Sequence, residues 1–400
     1  MPILPLAEAQ RLIVSHSSAL AAEAVPLEKA AGRIAAQTIA AVRTVPAFAR
    51  SAMDGYAVNS RDLTDGAQQV SLRVTGEIAA GATDLPRVAR TCAVAIMTGG
   101  ALPPGANQVV PFEQCQRNGS VVLVDTPPHP GAFIRAKGAD LGTKQTIVRA
   151  GTRIEPQHLP LLAESGLIQV PVVGCSELAT ICTGSELLDT VDTPEAGQIV
   201  GGNRFLLAAL IQGAGAASRD LGLVADDCDR IVALLTEALH GPADAIITTG
   251  GMGPGNYDLL PQAFAKLGIR PVYTALAVRP GRSTMFGLYN NKPVFALPGP
   301  PPAVFLLFHE LVLPALRRMQ GQRRPLSPLV RATLTTPILL KKTGLLNLKG
   351  AVATLRGKAL IARPAGKNEP ANAIIHLPPS RKHLLAGEDV SLRLCASAFC

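Results

Sequence analysis

The chain has 400 residues, with 38 Lys and Arg against 29 Asp and Glu, a formal net charge of +9, 48% hydrophobic and 17% charged residues, 4% aromatics and no Trp. That balance excludes a disordered chain, and the length predicts about two to four domains. The shortage of flat side chains argues against a base-stacking surface and so against nucleic acid as a partner, while the basic excess favours small anionic ligands.

The N-terminal stretch "MPILPLAEAQRLIVSHSS" has no basic segment leading into a long apolar core, so it does not read as a signal peptide. Residues 5–40 predict helix: Leu6, Ala9, Leu12 and Ile13 share one face and Ala is abundant. Pro46 marks a break. From about 43 to 145, short apolar runs such as "VSLRVTG", "VAIMTG" and "SVVLVDT" lie between Gly and Pro clusters, which predicts a β-rich region. The stretch "EPQHLPLLAESGLIQVPVV" predicts a short helix, a stop at Gly166 and a strand. If it returns to the N-terminal helices, the first domain is discontinuous.

Between 175 and 320 strands and helices alternate: "ELATIC", "ASRDLGLV" and "DAIITT" read as strands, "NRFLLAALIQGAG", "DDCDRIVALLTEALH" and "LLPQAFAKLG" as helices. "VYTALAV", "STMFGLY" and "PVFALPG" read as further strands, and a last helix runs from about 302 to 319. Such alternation with short connections predicts a parallel, doubly wound α/β sheet. "RRPLSP" reads as a linker, and 328–400 as a small β domain. The apolar stretch "AVFLLFHELVLPAL" is interrupted by His309, Glu310 and Pro314 and is too short and polar to cross a membrane. The seven cysteines include no C-x-x-C pair, which speaks against a disulfide framework or a zinc site. Together these features predict a soluble, cytoplasmic protein.

The stretch "GGMGPGNYD" (250–258) places four glycines at the carboxyl end of a buried strand. Glycines there let backbone amides approach an oxyanion, and the next helix begins near Asp258 or Leu259. The spacing is neither a Walker loop nor G-x-G-x-x-G. A carboxylate repels an anion, so Asp258 fits better as a Mg²⁺ ligand bridging to phosphate oxygens. Other sheet-end stretches point to the same crevice: "CTGSELL" with Thr183, Ser185 and Glu186, "VRPGRS" with Arg279 and Arg282, "LPGPPPAV" with Pro298 and Pro301, and "ADDCD" with Asp226 and Asp227. Taken singly, each has an ordinary structural reading; the two Asp, for instance, could cap a helix.

"SAMDGYAV" (51–58), "IMTGGALPPGANQVV" (96–110), "TGSELL" (183–188), "GGMGPGNYD", "RPGRS" (279–283) and "LPGPP" (297–301) stand in the order found in molybdopterin molybdenumtransferases, the MoeA-like family to which the gephyrin E domain is related, and the chain resembles that family along its whole length. The resemblance implies four parts: a discontinuous helical domain (1–42 and 146–172), a β-rich domain (43–145), an α/β molybdopterin-binding domain (173–327) and a C-terminal β-barrel-like domain (328–400). It implies a homodimer whose active site lies between the α/β domain of one subunit and the β-rich domain of the other. The implied reaction joins molybdate to adenylylated molybdopterin and releases AMP, with Mg²⁺ assisting. Glu186, Asp226, Asp258 and Asp140 match acidic motif positions, with Glu186 and Asp258 the implied metal ligands. Thr98, Thr183, Ser185, Gly250, Gly251, Gly253, Pro298 and Pro301 match substrate-binding positions. Arg279 and Arg282 stand where the family commonly has Lys for the molybdate oxyanion.

The chain also departs from the family pattern. Ala49-Arg50 replaces an Asp-Asn pair; Gly253, Pro254 and Asn256 replace Ser, Val and Asp; Pro300 replaces an Asn; and Ala371-Asn372 stands where a Gly-Ser pair falls. Each change removes an anion donor or a metal ligand and spares the hydrophobic scaffold. Two functions stay open on this basis: the transferase, or a catalytically impaired paralogue that binds finished cofactor and delivers it to a molybdoenzyme client. A nucleotide pyrophosphatase is disfavoured by "SAMDGYAV". Individually, Asp54 reads as a turn anchor, Thr98 as a turn hydroxyl, and Asp140 as an ion-pair partner of Arg135 or Lys137.

Overall fold

The computed structural model describes residues 3–63, 69–190, 193–253, 255 and 258–395. Pro254, Asn256 and Tyr257 of the glycine loop, and Cys400, lie outside the described residues. The chain divides into two compact units, Met1–Glu23 with Val173–Cys400, and Ala24–Val172.

The centre of the first unit is a six-stranded sheet. Ala217–Val224, Glu177–Thr183, Ala245–Thr249 and Lys292–Leu297 lie side by side and parallel. Successive residues of Ala245–Thr249 serve opposite faces. Ala245 and Ile247 join the cluster with Leu207, Ile211 and Val304, whereas Ile246 joins the one with Ile231, Leu235 and Phe264. Helices Asn203–Gly213 and Pro301–Leu307 cover one face, Cys228–His240 and Leu260–Lys266 the other. The sheet is therefore doubly wound, but it is not wholly parallel. Met285–Tyr289 runs antiparallel to Lys292–Leu297, and Arg270–Tyr273 antiparallel to Met285–Tyr289. The cause is local: Asn290 and Asn291 take φ values of 46° and 67°, the left-handed pair that closes a tight hairpin.

The run "VYTALAV" splits. Its first part is the sheet-edge strand Arg270–Tyr273, and Val278–Arg279 pairs instead with Leu346–Arg356 of the C-terminal β part. There Leu346–Arg356, Ala359–Pro364, Leu329–Leu334, Asp389–Leu394 and Ala373–Leu377 pair in turn, and the last pairs back to the first, closing a small barrel.

The helix expected over 5–40 is only Leu6–Ser15, with Leu6, Ala9 and Ile13 buried. Beyond it the strand Ala22–Pro26 ends in a proline, which cannot continue a helix, so alanine's propensity is overridden.

In the second unit, Gln108–Pro111, Gly55–Val58, Cys92–Ile96, Val70–Ile78, Val121–Val124 and Cys115–Asn118 form a six-stranded sheet, as the β-rich reading of 43–145 predicts. A separate small core of Val25, Ile39, Ile154, Leu162 and Val170 gathers the segments on either side of it, including the short helix His158–Glu164. No helix among the described residues is long and apolar enough to cross a membrane, and the described cysteines are free.

Candidate functional site

Four adjacent parallel strands deliver four loops to one edge of the sheet. Thr183 runs into Gly184-Ser185-Glu186, Val224 into Asp226-Asp227, Thr249 into Gly250-Gly251, and Leu297 into Gly299-Pro300. They enclose a crevice of about 410 Å³. Three carboxylates line it, Glu186, Asp226 and Asp258, together with Thr183, Gly250, Gly251 and Pro301.

The loops are tied to one another. Ser185 N–H donates to Asp226 Oδ2 and Asp226 N–H to Ser185 Oγ, each at 3.0 Å. Ser185 thus acts by fixing Asp226, while its neighbour Asp227 does the capping. Asp227 Oδ1 accepts from the N–H of Asp229 and of Arg230 at 3.0 Å, and the Arg230 bond chiefly holds its carboxyl below the usual range. Asp258 Oδ2 accepts from Gly255 N–H at 2.8 Å, shortly before helix Leu260–Lys266. Two glycines matter here. A Cβ on Gly250, at φ +92°, would lie 2.3 Å from the Thr183 carbonyl oxygen, which is fixed backbone; Gly184 has a φ of +153°, strained for a side chain, although the Glu186 carboxylate beside it could swing aside. Gly253 does not line the crevice; its bare Cα leaves room for Asp258 Oδ2, 2.6 Å from where a Cβ would stand.

Asn203, at the start of helix Asn203–Gly213, lines the crevice and carries no motif in the sequence. Its Nδ2 donates to Gly299 O at 2.7 Å and to Thr249 Oγ1 at 3.3 Å, and its Oδ1 is buried without a hydrogen-bond partner among the described residues. The only sequence signal was its place after a sheet-end loop.

Arg279, Arg282 and Pro298 do not line this crevice. Arg279 lines a second cleft of about 500 Å³ with Lys341, Lys342, Lys349 and Asn347. Its strand belongs to the barrel's edge and not to the α/β sheet, so it faces different neighbours. Arg279 Nη1 is buried and has no hydrogen-bond partner among the described residues. Arg282 is exposed, its carbonyl accepting from Leu276 N–H at 2.9 Å. Asn372 braces the barrel: its amide bonds both the N–H and the carbonyl of Ala353, at 2.7 and 2.9 Å.

In the second unit, Thr98 donates to Asp54 Oδ1 from its N–H at 2.6 Å and its hydroxyl at 2.7 Å. Asp140 takes a two-pronged grip from Arg135, with Nη2 at 2.6 Å and Nε at 3.0 and 3.1 Å. Among the described residues no group of three or more His, Cys, Asp or Glu is placed to hold a metal ion.

Residues 4–166 match the family described as "MoeA N-terminal region (domain I and II)", and residues 179–318 the one described as "Probable molybdopterin binding domain". A molybdopterin molybdenumtransferase of Staphylococcus aureus (strain COL) is 31% identical over 404 residues, covering 98% of this chain and 96% of its own. Molybdopterin molybdenumtransferase 2 of Mycobacterium tuberculosis (strain H37Rv) is 31% identical over 384 residues, covering 94% and 91%. A crystal structure of the molybdopterin biosynthesis MoeA protein of Pyrococcus horikoshii superposes with a TM-score of 0.83 at 28% identity, covering 98% of this chain and 99% of that one. Whole-chain likeness at this level, on a fold with these sheet-end loops, establishes that the chain belongs to the molybdopterin molybdenumtransferase family.

Proposed function

We propose that this chain acts in molybdenum cofactor biosynthesis as a molybdopterin molybdenumtransferase, inserting molybdate into adenylylated molybdopterin and releasing AMP. One observation carries the reading: Glu186, Asp226 and Asp258 meet in a single crevice at the carboxyl edge of a doubly wound sheet, beside the glycine loop. Phosphorylated ligands bind at such edges. Three carboxylates repel a pyrophosphate unless a cation lies between them. The Glu186 carboxylate has no hydrogen-bond or ion-pair partner among the described residues, and Asp226 and Asp258 each keep oxygens beyond the ones bonded to Ser185 and Gly255. That donor set fits Mg²⁺, which takes one or two carboxylates and fills its shell with substrate phosphates and water. Glu186 and Asp258 are its proposed ligands, and when bound the ion would neutralise phosphate charge.

Molybdate is a tetrahedral dianion and needs cationic donors. The second cleft offers them in Arg279, Lys341, Lys342 and Lys349, with no carboxylate in its lining among the described residues. We assign molybdate to this cleft, with the buried, unpaired Nη1 of Arg279 as its best-prepared donor. The two clefts thus divide the task, acidic for the metal-bridged pterin nucleotide and cationic for the oxyanion. Thr98 and Asp140 are proposed to complete substrate binding in a cytoplasmic homodimer built from the four domains implied by the family.

Purified protein mixed with adenylylated molybdopterin, Mg²⁺ and molybdate should release AMP, and Glu186→Gln should stop it. No AMP at any molybdate concentration would refute the transferase. Tight binding of finished cofactor without AMP release would instead assign the chain to delivering cofactor to a molybdoenzyme client.

A further inference from the structure

The last helical run of the α/β part, Pro301–Met319, backs both strands of the cationic cleft, Val278–Arg279 and Leu346–Arg356, which pair directly with Arg279 opposite Asn347. Leu307 supports the first of them. A Cβ on Gly281 would lie 2.6 Å from Leu307 Cδ1, so the turn that follows Arg279 rests directly on that side chain. Immediately afterwards the helix widens into a π-turn, Phe308–Val312, which presents Glu310 at 0% exposure. The Glu310 carboxylate accepts from His376 Nε2 at 2.7 Å, from Arg393 Nε at 2.9 and 3.0 Å and from Gln10 Nε2 at 2.8 Å. His376 and Arg393 belong to barrel strands Ala373–Leu377 and Asp389–Leu394, and Gln10 to the N-terminal helix. His376 stands opposite Leu348, on the strand that brings Asn347 and Lys349 to the cleft.

A charge this deep is an unusual means of joining two layers, because an apolar contact of the same size avoids the desolvation cost. Directional bonds, however, fix the spacing of two elements more tightly than apolar contact does. Burial pushes the Glu310 pKa up, but His376 and Arg393 together hold it below the ordinary carboxyl value, so the group is ionised. The contacts run from Glu310 through His376 to Leu348, and thence to the neighbouring Lys349. From Leu307 they run to the Arg279 turn.

Resting on the assignment of molybdate to the Arg279 cleft, we propose that Glu310 is a positioning residue for oxyanion binding. Through His376 and Arg393 it fixes the seating of barrel strand Ala373–Leu377, and with it the paired strands that carry Arg279 and Lys349, against the helix whose Leu307 supports the Arg279 turn, and hence the fit of the cleft to a tetrahedral dianion.

The test is calorimetric titration of the full chain with molybdate and, separately, with AMP and Mg²⁺. Wild type, Arg279→Met, Glu310→Gln and His376→Gln are compared well below the lowest melting temperature. Glu310→Gln and His376→Gln should each weaken molybdate by about fivefold or more, and Arg279→Met by at least about tenfold, with AMP affinity unchanged in all three. If Arg279→Met binds molybdate like wild type, the cleft assignment falls and takes this proposal with it. If Arg279→Met loses molybdate while folded Glu310→Gln and His376→Gln bind it normally, Glu310 merely stabilises the fold and only the positioning role is overturned. Equal weakening of AMP and molybdate in the Glu310 and His376 variants means general loosening and overturns it as well. Glu310→Gln leaves Arg393 buried without its counter-charge; should it fail to fold, His376→Gln decides alone.

Discussion

Asn203 and Gly299 are joined across the crevice, the amide Nδ2 of one donating to the carbonyl of the other at 2.7 Å. A carbonyl can only accept, so this bond fixes the orientation of the amide. It also ties the first turn of helix Asn203–Gly213 to the loop after Lys292–Leu297. Asn203→Ala should cost about 1–2 kcal/mol, because Gly299 O loses its donor. Asn203→Asp should cost more than Ala, since a buried carboxylate cannot donate and would stand against the Gly299 carbonyl, with only the Thr249 hydroxyl able to turn and donate to it. Chemical denaturation measures both, and an Asp variant as stable as wild type would contradict the donor assignment.

How much of this could be read from the chain depended on where each residue's partners lie. The acidic crevice was legible because strand–loop–helix alternation forces sheet-end loops to one edge, so Thr183, Glu186, Asp226, Gly250 and Asp258 converge once the strands are ordered. Arg279 was not legible. Periodicity marks a strand but does not say which sheet it joins, and Val278–Arg279 joins the barrel. Asn203 had no motif, because its contribution is a bond to a backbone carbonyl almost a hundred residues away in sequence. The antiparallel end of the sheet was signalled by Asn290-Asn291, a hairpin pair lost between two apolar runs.

The Asp54–Thr98 pair gives a pH prediction. Chiefly the Thr98 N–H, with its hydroxyl, holds the Asp54 carboxyl below the usual range. A depressed folded value means that the bonds add stability above the unfolded pKa of about 3.9 and lose it as pH falls through the folded value. The Thr98 amide resonance should therefore titrate below pH ~4, and Thr98→Val should raise that midpoint towards the unfolded value. A Thr98 amide unmoved by acid would show that the bond is not formed in solution.

Gly250→Ala tests the backbone of the crevice. The added methyl would meet the Thr183 carbonyl at 2.3 Å, and the φ of +92° is strained for any side chain. Strain of this kind costs about 1–3 kcal/mol, and the steric overlap adds to it. For a unit of this size each kcal/mol lowers Tm by about 2–4 °C, so a fall of roughly 4–10 °C is expected by calorimetry. By contrast, Gly197 also has positive φ, at +91°, but its Cβ position is open, so Gly197→Ala should cost less than Gly250→Ala.

Pro300 is the departure whose effect can be isolated. It occupies the position before helix Pro301–Leu307 with no side-chain cap, and it lines the crevice with Pro301. Pro300→Asn should cost little stability. Losing proline's restraint on the unfolded chain costs about 0.4–1 kcal/mol, and the new amide finds no free N–H to cap, because Pro301 and Pro302 have none. Ala303 and Val304 N–H already donate to the residue-300 carbonyl at 2.9 and 3.1 Å, a geometry that Asn keeps. Residue 300 also has an extended backbone, φ −62° and ψ 124°, as a residue before proline requires. Melting should therefore move little, while the crevice wall gains a backbone N–H and an amide. If the crevice holds a phosphorylated ligand, one new hydrogen bond should tighten AMP with Mg²⁺ by about 0.5–1.5 kcal/mol, roughly two- to tenfold. Unchanged AMP affinity at unchanged stability would mean that the ligand does not touch this wall, and that the proline there is a neutral replacement and not a lost donor.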